Sequence, residues 1–277
     1  MHESKDSKFI PMTSIASGSG KELAEDLYCY TNQIVNVIMI GKPTDEHWVL
    51  VDAGMPTCGP EILTVAENRF GKGSKPAAII LTHGHFDHVG GLVHLIEKWN
   101  VPVYAHPLEF PYLTGVNSYP EPDTTVEGGL LAKISSIYPI EPIDITPVLK
   151  PLPINGGFTE LPEWQWIHTP GHSVGQIALF RERDRVLLAA DAFVTVKQDS
   201  FYKVLIQKKE VNGPPVYLTT DWHMAFDSVV KLDALRPELA ICGHGSPMEG
   251  KELQEGLKNL IENFKTVAVP SHGKFVN

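Results

Sequence analysis

The sequence predicts an α/β fold in which two β-sheets face each other and helices cover their outer sides. Three observations carry this prediction: two series of strands alternate with helices, the strands are short β-branched apolar runs, and polar side chains repeatedly follow the strand ends. The chain has 277 residues, of which 43% are hydrophobic, so it can bury a sizeable core. We expect a single domain over residues 1–277.

The first series begins with two strands joined by a turn. Residues 34–40 and 47–52 are apolar and β-branched, and the turn-rich segment between them predicts a hairpin. Residues 61–70 place apolar side chains at helical spacing, and Gly71 predicts the end of that helix.

A buried strand and a further helix and strand come next. The continuous apolar run 77–82 is typical of a strand covered on both faces, while 91–99 predicts a helix and 101–105 another strand. Residues 107–150 are different, because they are rich in proline and hold few strand signals apart from a short helix expected around 128–138. We interpret 107–150 as a cap or loop insertion over a site.

The second series contains three strands in succession before it alternates with helices again. Its predicted strands are 163–169, 176–182, 185–191 and 238–245, and its predicted helices are 219–235 and 251–264. No fixed-period repeat and no low-complexity segment accompanies either series.

Composition restricts the partners and the compartment. The formal net charge of −10 would repel DNA and RNA, because nucleic-acid binding relies on Lys and Arg to neutralise phosphates, and the basic segment 203–209 is interpreted as a solvated face. Three cysteines without a C-x-x-C pair argue against a disulfide framework and favour a reducing, cytoplasmic location. We recognise no signal peptide and no membrane-spanning run, and a homodimer is left open.

Candidate functional residues lie where apolar strands end. The segment LTHGHFDHVGG, residues 81–91, crowds three histidines and an aspartate directly after a buried strand. The polar residues found at strand ends or in the loops beside them are Asp52, His83, His85, Asp87, His88, His172, Asp191 and His244. A lone buried carboxylate is costly, whereas a bound cation would satisfy several of these side chains together.

The donor types indicate which ion would bind. Imidazole and carboxylate suit Zn²⁺, Mn²⁺, Co²⁺ or Fe²⁺ rather than a soft thiolate site, and Zn²⁺ is the expected ion. Without Asp52, the set has seven donors, which are too many for one tetrahedral ion. They suit two ions that share a water or hydroxide and are bridged by Asp191. Cys242, beside His244, is interpreted as a small buried strand residue.

These motifs resemble those of the metallo-β-lactamase-fold hydrolases. The resemblance rests on H-x-H-x-D-H at 83–88, T-P-G-H-S-x-G at 169–175, Asp191 and G-H-G at 243–245, and it spans about residues 34–265. It implies a four-layer αββα sandwich with the metals at one edge. The implied ligands are His83, His85 and His172 for the first metal and Asp87, His88 and His244 for the second, with Asp191 bridging and Asp52 supporting the site without binding a metal.

The resemblance is strongest to the lactonase and small metallo-hydrolase branch. It implies a small-molecule substrate with an ester, lactone or thioester bond, whose carbonyl is attacked by a metal-bridging hydroxide. Asp191 and Asp87 are the predicted catalytic residues, and Asp87 or a metal-bound water is expected to pass a proton to the leaving group.

Aromatic residues are the candidates for a substrate pocket. Phe86, inside the histidine-rich segment, and Phe193, in the second series, are the best placed. Quorum-quenching lactonases often carry a tyrosine three residues after the bridging aspartate, but Val194 stands there in this chain. Tyr202 or Tyr217 could supply an equivalent hydroxyl.

Other activities of the same fold stay open. Persulfide dioxygenase-type members bind one iron with part of this ligand set, and phosphotriester and β-lactam hydrolases share the fold. One iron per chain together with oxygen uptake would indicate the dioxygenase. The histidines outside the ligand set are interpreted as surface or packed residues, and they are His47, His94, His106, His168 and His223.

Overall fold

A computed structural model describes residues 13–126, 135, 138–196 and 209–276. The chain divides into two compact units. The first unit comprises Met1–Tyr119 and Pro139–Pro162, and the second comprises Pro120–Tyr138 and Glu163–Asn277. The expectation of a single domain stays a prediction.

A seven-stranded sheet is the frame of the first unit. In spatial order its strands are β1 (Ser19–Ala24), β2 (Leu27–Asn32), β3 (Val35–Ile40), β4 (Val49–Val51), β5 (Ala78–Ile80), β6 (Val103–Ala105) and β7 (Leu149–Pro151). Strands β1 to β4 pair antiparallel, whereas β4 to β7 pair parallel. Because parallel strands end at the same edge, the segments that follow β4 and β5 lie side by side there.

The described part of the first unit contains five helical segments. They are α1 (Gly59–Phe70), α2 (Phe86–Val89), α3 (Leu92–Trp99), a 3₁₀ turn (Pro107–Glu109) and α4 (Phe110–Leu113). Helices α1 and α3 pack on the sheet around Trp48, whose ring stacks on Phe70 at a centroid distance of 4.3 Å and meets Trp99 edge-on at 5.6 Å. The indole N–H of Trp48 donates to the Ser74 hydroxyl, so this large ring is buried without an unpaired donor.

The second unit has a five-stranded sheet and a two-stranded ribbon. The sheet runs β14 (Met248–Glu249), β13 (Leu239–Cys242), β10 (Val186–Ala190), β9 (Ile177–Arg181) and β8 (Trp164–His168), and the ribbon pairs β11 (Val194–Val196) with β12 (Lys209–Asn212). Among the described residues of this unit, the helices are α5 (Trp222–Ala234), α6 (Gly250–Glu262) and α7 (Phe264–Val267). Strands β10 and β13 are parallel, so the residues after them meet at one edge.

Most sequence predictions coincide with observed elements, whose ends differ from the predicted ends by three residues at most. Strands β1, β2, β7, β11, β12 and β14 were not predicted. Strand β1 is an exposed edge strand with polar side chains, β2 mixes polar and apolar residues, and the other four are only two to four residues long. The predicted helix at 128–138 and the basic segment 203–209 lie almost wholly outside the described residues.

Within 107–150, the interpreted cap, the described residues contribute helix α4 and strand β7. Thr114 and Asp144 form an antiparallel bridge between its two ends. Among the described residues, no helix has both the length and the apolar character needed to cross a membrane.

Replacing a buried and an exposed isoleucine of the first unit should change the free energy of unfolding by very different amounts. Ile62 on α1 is completely buried and Ile154 is fully exposed. Ile62→Ala should lower the free energy of unfolding by about 2–5 kcal/mol through lost burial and a cavity, whereas Ile154→Ala should change it by less than about 0.5 kcal/mol. Denaturant unfolding of both variants measures the difference, and equal effects would contradict this assignment of the core.

Candidate metal centre

Asp52 links the ends of β4 and β5. It is buried and adopts φ 62°, a left-handed conformation that re-aims its side chain towards the neighbouring strand end. Its Oδ1 accepts a hydrogen bond of 2.8 Å from the Thr82 N–H, and its Oδ2 accepts one of 2.8 Å from the Thr82 hydroxyl. Oδ2 also lies 2.8 Å from His88 Nδ1. Since an ionised carboxylate only accepts, both residues donate to Asp52.

These bonds fix the tautomers of two histidines. The one hydroxyl proton of Thr82 goes to Asp52, so Thr82 Oγ1 accepts from His83 Nδ1 at 3.1 Å. His88 donates from Nδ1 to the same carboxylate. In the neutral imidazoles the proton is therefore on Nδ1, and Nε2 carries the lone pair that a metal ion requires.

The three histidines and the aspartate of the metal loop, residues 81–91, form the first donor cluster. Ligand atoms of His83 lie within 4.8 Å of those of His85 and of His88, and the same limit holds between Asp87 and His88. All four side chains are buried. A cation is the simplest physical reason for gathering three imidazoles and a carboxylate in a buried place.

Glycines hold the metal loop against the segment after β4. A Cβ on Gly90 would lie 2.2 Å from the Met55 carbonyl carbon, and a Cβ on Gly91 would lie 2.8 Å from the Ala53 oxygen. The Gly91 N–H donates to that oxygen, and the Ala53 N–H donates to His88 O at 2.7 Å. The two glycines are needed for close backbone contact here, since neither has a positive φ.

In the second unit, His172 is held by a hydroxyl as His83 is. Its Nδ1 lies 3.1 Å from Thr219 Oγ1, and that hydroxyl donates its proton to Pro215 O at 2.8 Å. His172 therefore donates from Nδ1 and keeps its lone pair on Nε2. Gly171 has φ 132°, and a Cβ there would lie 2.3 Å from the Ala225 nitrogen, so only glycine lets α5 pack on this loop.

Asp191 lies between two histidines of the second unit and forms the second donor cluster with them. It follows β10, where Ala190 has φ 50° and the pairing with β13 shifts register. Its Oδ2 is 3.5 Å from His172 Nε2 and 3.3 Å from His244 Nε2. One carboxylate oxygen thus faces the lone-pair nitrogen of His172 and a nitrogen of His244.

A third threonine supports His244. The N–H and the hydroxyl of Thr195 lie 3.2 and 3.3 Å from His244 O, and the hydroxyl also donates to Ser246 O at 2.7 Å. None of the three supporting threonines was among the predicted site residues. Thr82 directly precedes a candidate ligand, which is a usable signal, but Thr195 and Thr219 are 49 and 47 residues from their partners.

The predicted pocket residues have different positions. Phe86 lines an apolar pocket of the first unit together with Val89, Val93 and Ile143. Phe193 is fully buried in the core of the second unit, where its ring packs among strands and helices. Its role in a substrate pocket stays a prediction.

Tyr202 lies outside the described residues. Tyr217 is buried, and its ring centroid is 5.7 Å from that of Tyr138. His168 pairs its Nε2 with Val174 O at 2.9 Å, in agreement with its interpretation as a non-ligand.

The donor set fits a divalent metal ion. Three of its histidines, His83, His88 and His172, hold their proton on Nδ1 and so offer Nε2, and the carboxylates are buried beside them. Among the described residues, the groups able to hold an ion consist of His and Asp, and Cys242 is buried in β13 outside them. Such nitrogen and oxygen donors suit borderline divalent ions.

Comparison with known proteins identifies relatives over most of the chain. The family model for the metallo-beta-lactamase superfamily matches residues 30–244. A protein of Bacillus subtilis (strain 168) named "Probable metallo-hydrolase YflN" is 45% identical over 260 residues, which cover 94% of this chain and 98% of that protein. "Probable metallo-hydrolase YybB" of the same organism is 29% identical over 190 residues, covering 69% and 73%.

Solved structures agree with this match. The protein TTHA1623, solved in a di-iron-bound form, is 28% identical with a TM-score of 0.52, covering 78% of this chain and 89% of that one. A B3 metallo-β-lactamase with an active-site glutamic acid is 16% identical, with a TM-score of 0.60 and 91% of both chains covered. These similarities confirm the predicted fold class, α/β of the metallo-β-lactamase type.

The role of Asp52 leads to a prediction. Asp52→Asn keeps a residue that tolerates a left-handed φ. However, one carboxylate oxygen becomes an NH₂ group, so this donor faces the donor of either Thr82 or His88 and one hydrogen bond is lost. The affinity for divalent metal should fall about ten- to a hundredfold, as measured by competition with a chelator. Asp45→Asn, in a surface turn where the side chain accepts from the Lys42 N–H, is the control. Equal affinities in the two variants would refute the role.

Proposed function

The chain belongs to the metallo-β-lactamase superfamily, and from this premise we propose that it is a metal-dependent hydrolase with a dinuclear centre. In this proposal His83, His85 and His172 hold the first ion, Asp87, His88 and His244 hold the second, and Asp191 bridges them. The observation that carries the proposal is the set of buried imidazoles whose Nδ1 protons are engaged by Thr and Asp oxygens.

The residues of the chain have distinct tasks in this centre. When bound, two divalent ions would lower the pKa of a water molecule towards about 7 and polarise a substrate carbonyl. Asp191 would bridge the two ions. The position of its Oδ2 between His172 Nε2 and His244 Nε2 supports this role. Asp87, buried with His88, would hold the proton that the leaving group takes up.

The metal is proposed to be zinc, with iron as the second candidate. Imidazole and carboxylate donors without a thiolate suit Zn²⁺, and also Mn²⁺, Co²⁺ and Fe²⁺. Iron is favoured as the alternative because a relative of 28% identity, TTHA1623, was solved in a di-iron-bound form. One iron per chain with uptake of oxygen would instead support the persulfide dioxygenase-type reaction and overturn the hydrolase.

The pocket beside the metal loop supports a substrate with an apolar group. Among the described residues its lining includes Pro56, Phe86, Val93 and Ile143, together with the exposed Glu141. An apolar acyl or alkyl group is favoured against the first four of these side chains. The proposed substrate is therefore an ester, lactone or thioester with such a group, and β-lactams and phosphotriesters are the alternatives.

The proposed setting is a reducing one. The three cysteine thiols are buried, and burial raises the pKa of the Cys29 thiol to about 12, so this thiol stays protonated at neutral pH. A cytoplasmic location, a small-molecule substrate and the absence of nucleic-acid partners are kept as parts of the proposal, and a homodimer is left open.

Metal quantification joined to a substrate panel tests the proposal. We expect two ions per chain, and turnover of at least one activated ester, lactone or thioester that is abolished by a chelator and restored by Zn²⁺. A protein that binds metal but turns over no member of a panel extended to β-lactams and phosphotriesters would overturn the hydrolase.

Asp191→Asn tests the bridge. Replacing one carboxylate oxygen by an amide should reduce the metal content from two ions towards one and lower kcat by about a hundredfold or more. Asp144→Asn is the matched control, because Asn can accept the same turn bonds from Thr146. Wild-type metal content and activity in Asp191→Asn would refute the bridging role.

Val93→Phe tests the pocket as a substrate site. The larger side chain should fill the space beside Phe86 and raise KM for esters with longer acyl chains about tenfold or more, with little change for acetyl esters. Val230→Phe makes the same replacement at an exposed position of α5. An unchanged acyl-chain preference in Val93→Phe would exclude this pocket from substrate binding while leaving the hydrolase proposal intact.

A further inference from the structure

We propose that Glu109 and Tyr119 form a positioning pair that fixes the peptide between His83 and His85, and thereby sets the geometry in which these two histidines hold their ion. The inference rests on the proposed function, because it assigns a task towards the first ion. Both residues lie in the segment 107–150, which sequence analysis interpreted only as a cap.

The pair converges on one backbone N–H of the metal loop. The Gly84 N–H lies 3.0 Å from Glu109 Oε2 and 2.9 Å from the Tyr119 hydroxyl oxygen. The Tyr119 hydroxyl in turn donates to Glu109 Oε2. Glu109 is completely buried, and Tyr119 nearly so. A buried carboxylate that accepts from both groups holds them firmly, since hydrogen bonds to a charged acceptor are stronger than those between neutral groups.

The Tyr119 ring also contacts a candidate ligand directly. Its centroid lies 4.5 Å from that of His85, and the same ring stacks on Tyr112 at a centroid distance of 3.9 Å. The Tyr119 N–H donates to Ile140 O, which ties the residue to the other end of the segment. The imidazole of His85 thus packs against a ring that is itself fixed by stacking and by two hydrogen bonds.

Because Gly84 has no side chain, the Tyr119 hydroxyl can lie close to its backbone. A Cβ there would lie 2.6 Å from the Tyr119 hydroxyl and 3.2 Å from Leu113 Cδ2. Gly84 is not among the residues with positive φ, so its backbone conformation is open to any residue. The hydroxyl of Tyr119 is therefore the closest obstacle to a side chain at this position.

The position of Gly84 explains why the pair would act on the metal. His83 and His85 are its two neighbours, so the peptides around Gly84 set the directions in which both imidazoles leave the backbone. Groups that orient ligands without binding the metal typically alter affinity or activity by about ten- to a hundredfold when removed. Glu109 and Tyr119 are positioning residues in this sense.

Tyr119→Phe removes only the hydroxyl and keeps the ring against His85. We expect the chelator-measured affinity for the first ion to fall about tenfold, and the visible absorption spectrum of the Co²⁺-substituted protein to change. Tyr112→Phe, which deletes the hydroxyl of the stacked ring, is the matched control and should leave both unchanged. Thermal unfolding of the metal-free proteins separates a change of stability from a change of the site.

A double-mutant cycle tests the contact itself. Gly84→Ala should disturb the metal loop and lower metal affinity, because its Cβ meets the Tyr119 hydroxyl. In Gly84→Ala/Tyr119→Phe the closest obstacle, the Tyr119 hydroxyl, is gone, while Leu113 Cδ2 remains at 3.2 Å. Part of the affinity lost by Gly84→Ala should therefore return, which independent sites would not produce. Glu109→Gln keeps an oxygen that accepts from Gly84 and should retain the Co²⁺ spectrum, whereas Glu109→Leu should not.

The outcomes separate this inference from the proposed function. Wild-type protein that binds no metal would overturn both. Wild-type protein with two ions and turnover, combined with wild-type affinity and Co²⁺ spectrum in Tyr119→Phe and Glu109→Leu, would overturn the positioning pair alone. Additive effects in the Gly84→Ala cycle would also overturn it.

Discussion

The buried carboxylate of Asp52 is the constraint on which the first donor cluster depends. Its charge is stabilised by three donors from two residues, Thr82 and His88, that follow the neighbouring strand. Removing any of these donors would leave part of a buried charge uncompensated, so the network is held as a unit. Because β4 and β5 are parallel neighbours, their ends bring these groups within hydrogen-bond distance.

The same physical device occurs in the second unit. A hydroxyl has one proton, and Thr219 donates it to Pro215 O. The Thr219 hydroxyl oxygen can therefore only accept a hydrogen bond from His172. Thr82 acts in the same way between Asp52 and His83. In each case the hydrogen bond holds the proton on Nδ1, so Nε2 already carries the lone pair before any ion binds. The imidazole then needs less reorientation and no change of tautomer when an ion binds.

Ligand orientation and substrate preference are connected through the segment 107–150. Tyr119 contacts His85, bonds to the metal loop through Gly84, and also lines the apolar pocket beside Phe86. In our two proposals, this one side chain therefore takes part in the pocket and in the geometry of the first ion. Changes in this segment are expected to alter metal affinity and substrate preference together.

The sequence by itself determined the elements and the donors. Periodicity predicted most strands and helices, and polar residues at the ends of apolar strands indicated ligands, since packing cannot explain a buried carboxylate there. Only the tertiary structure decided which hydroxyls orient the histidines, that Phe193 fills the core while Phe86 lines a pocket, and that Glu109 reaches Gly84. Apart from the contact of Thr82 with His83, these contacts join residues far apart in the chain, so they depend on packing, which no local pattern of residues records.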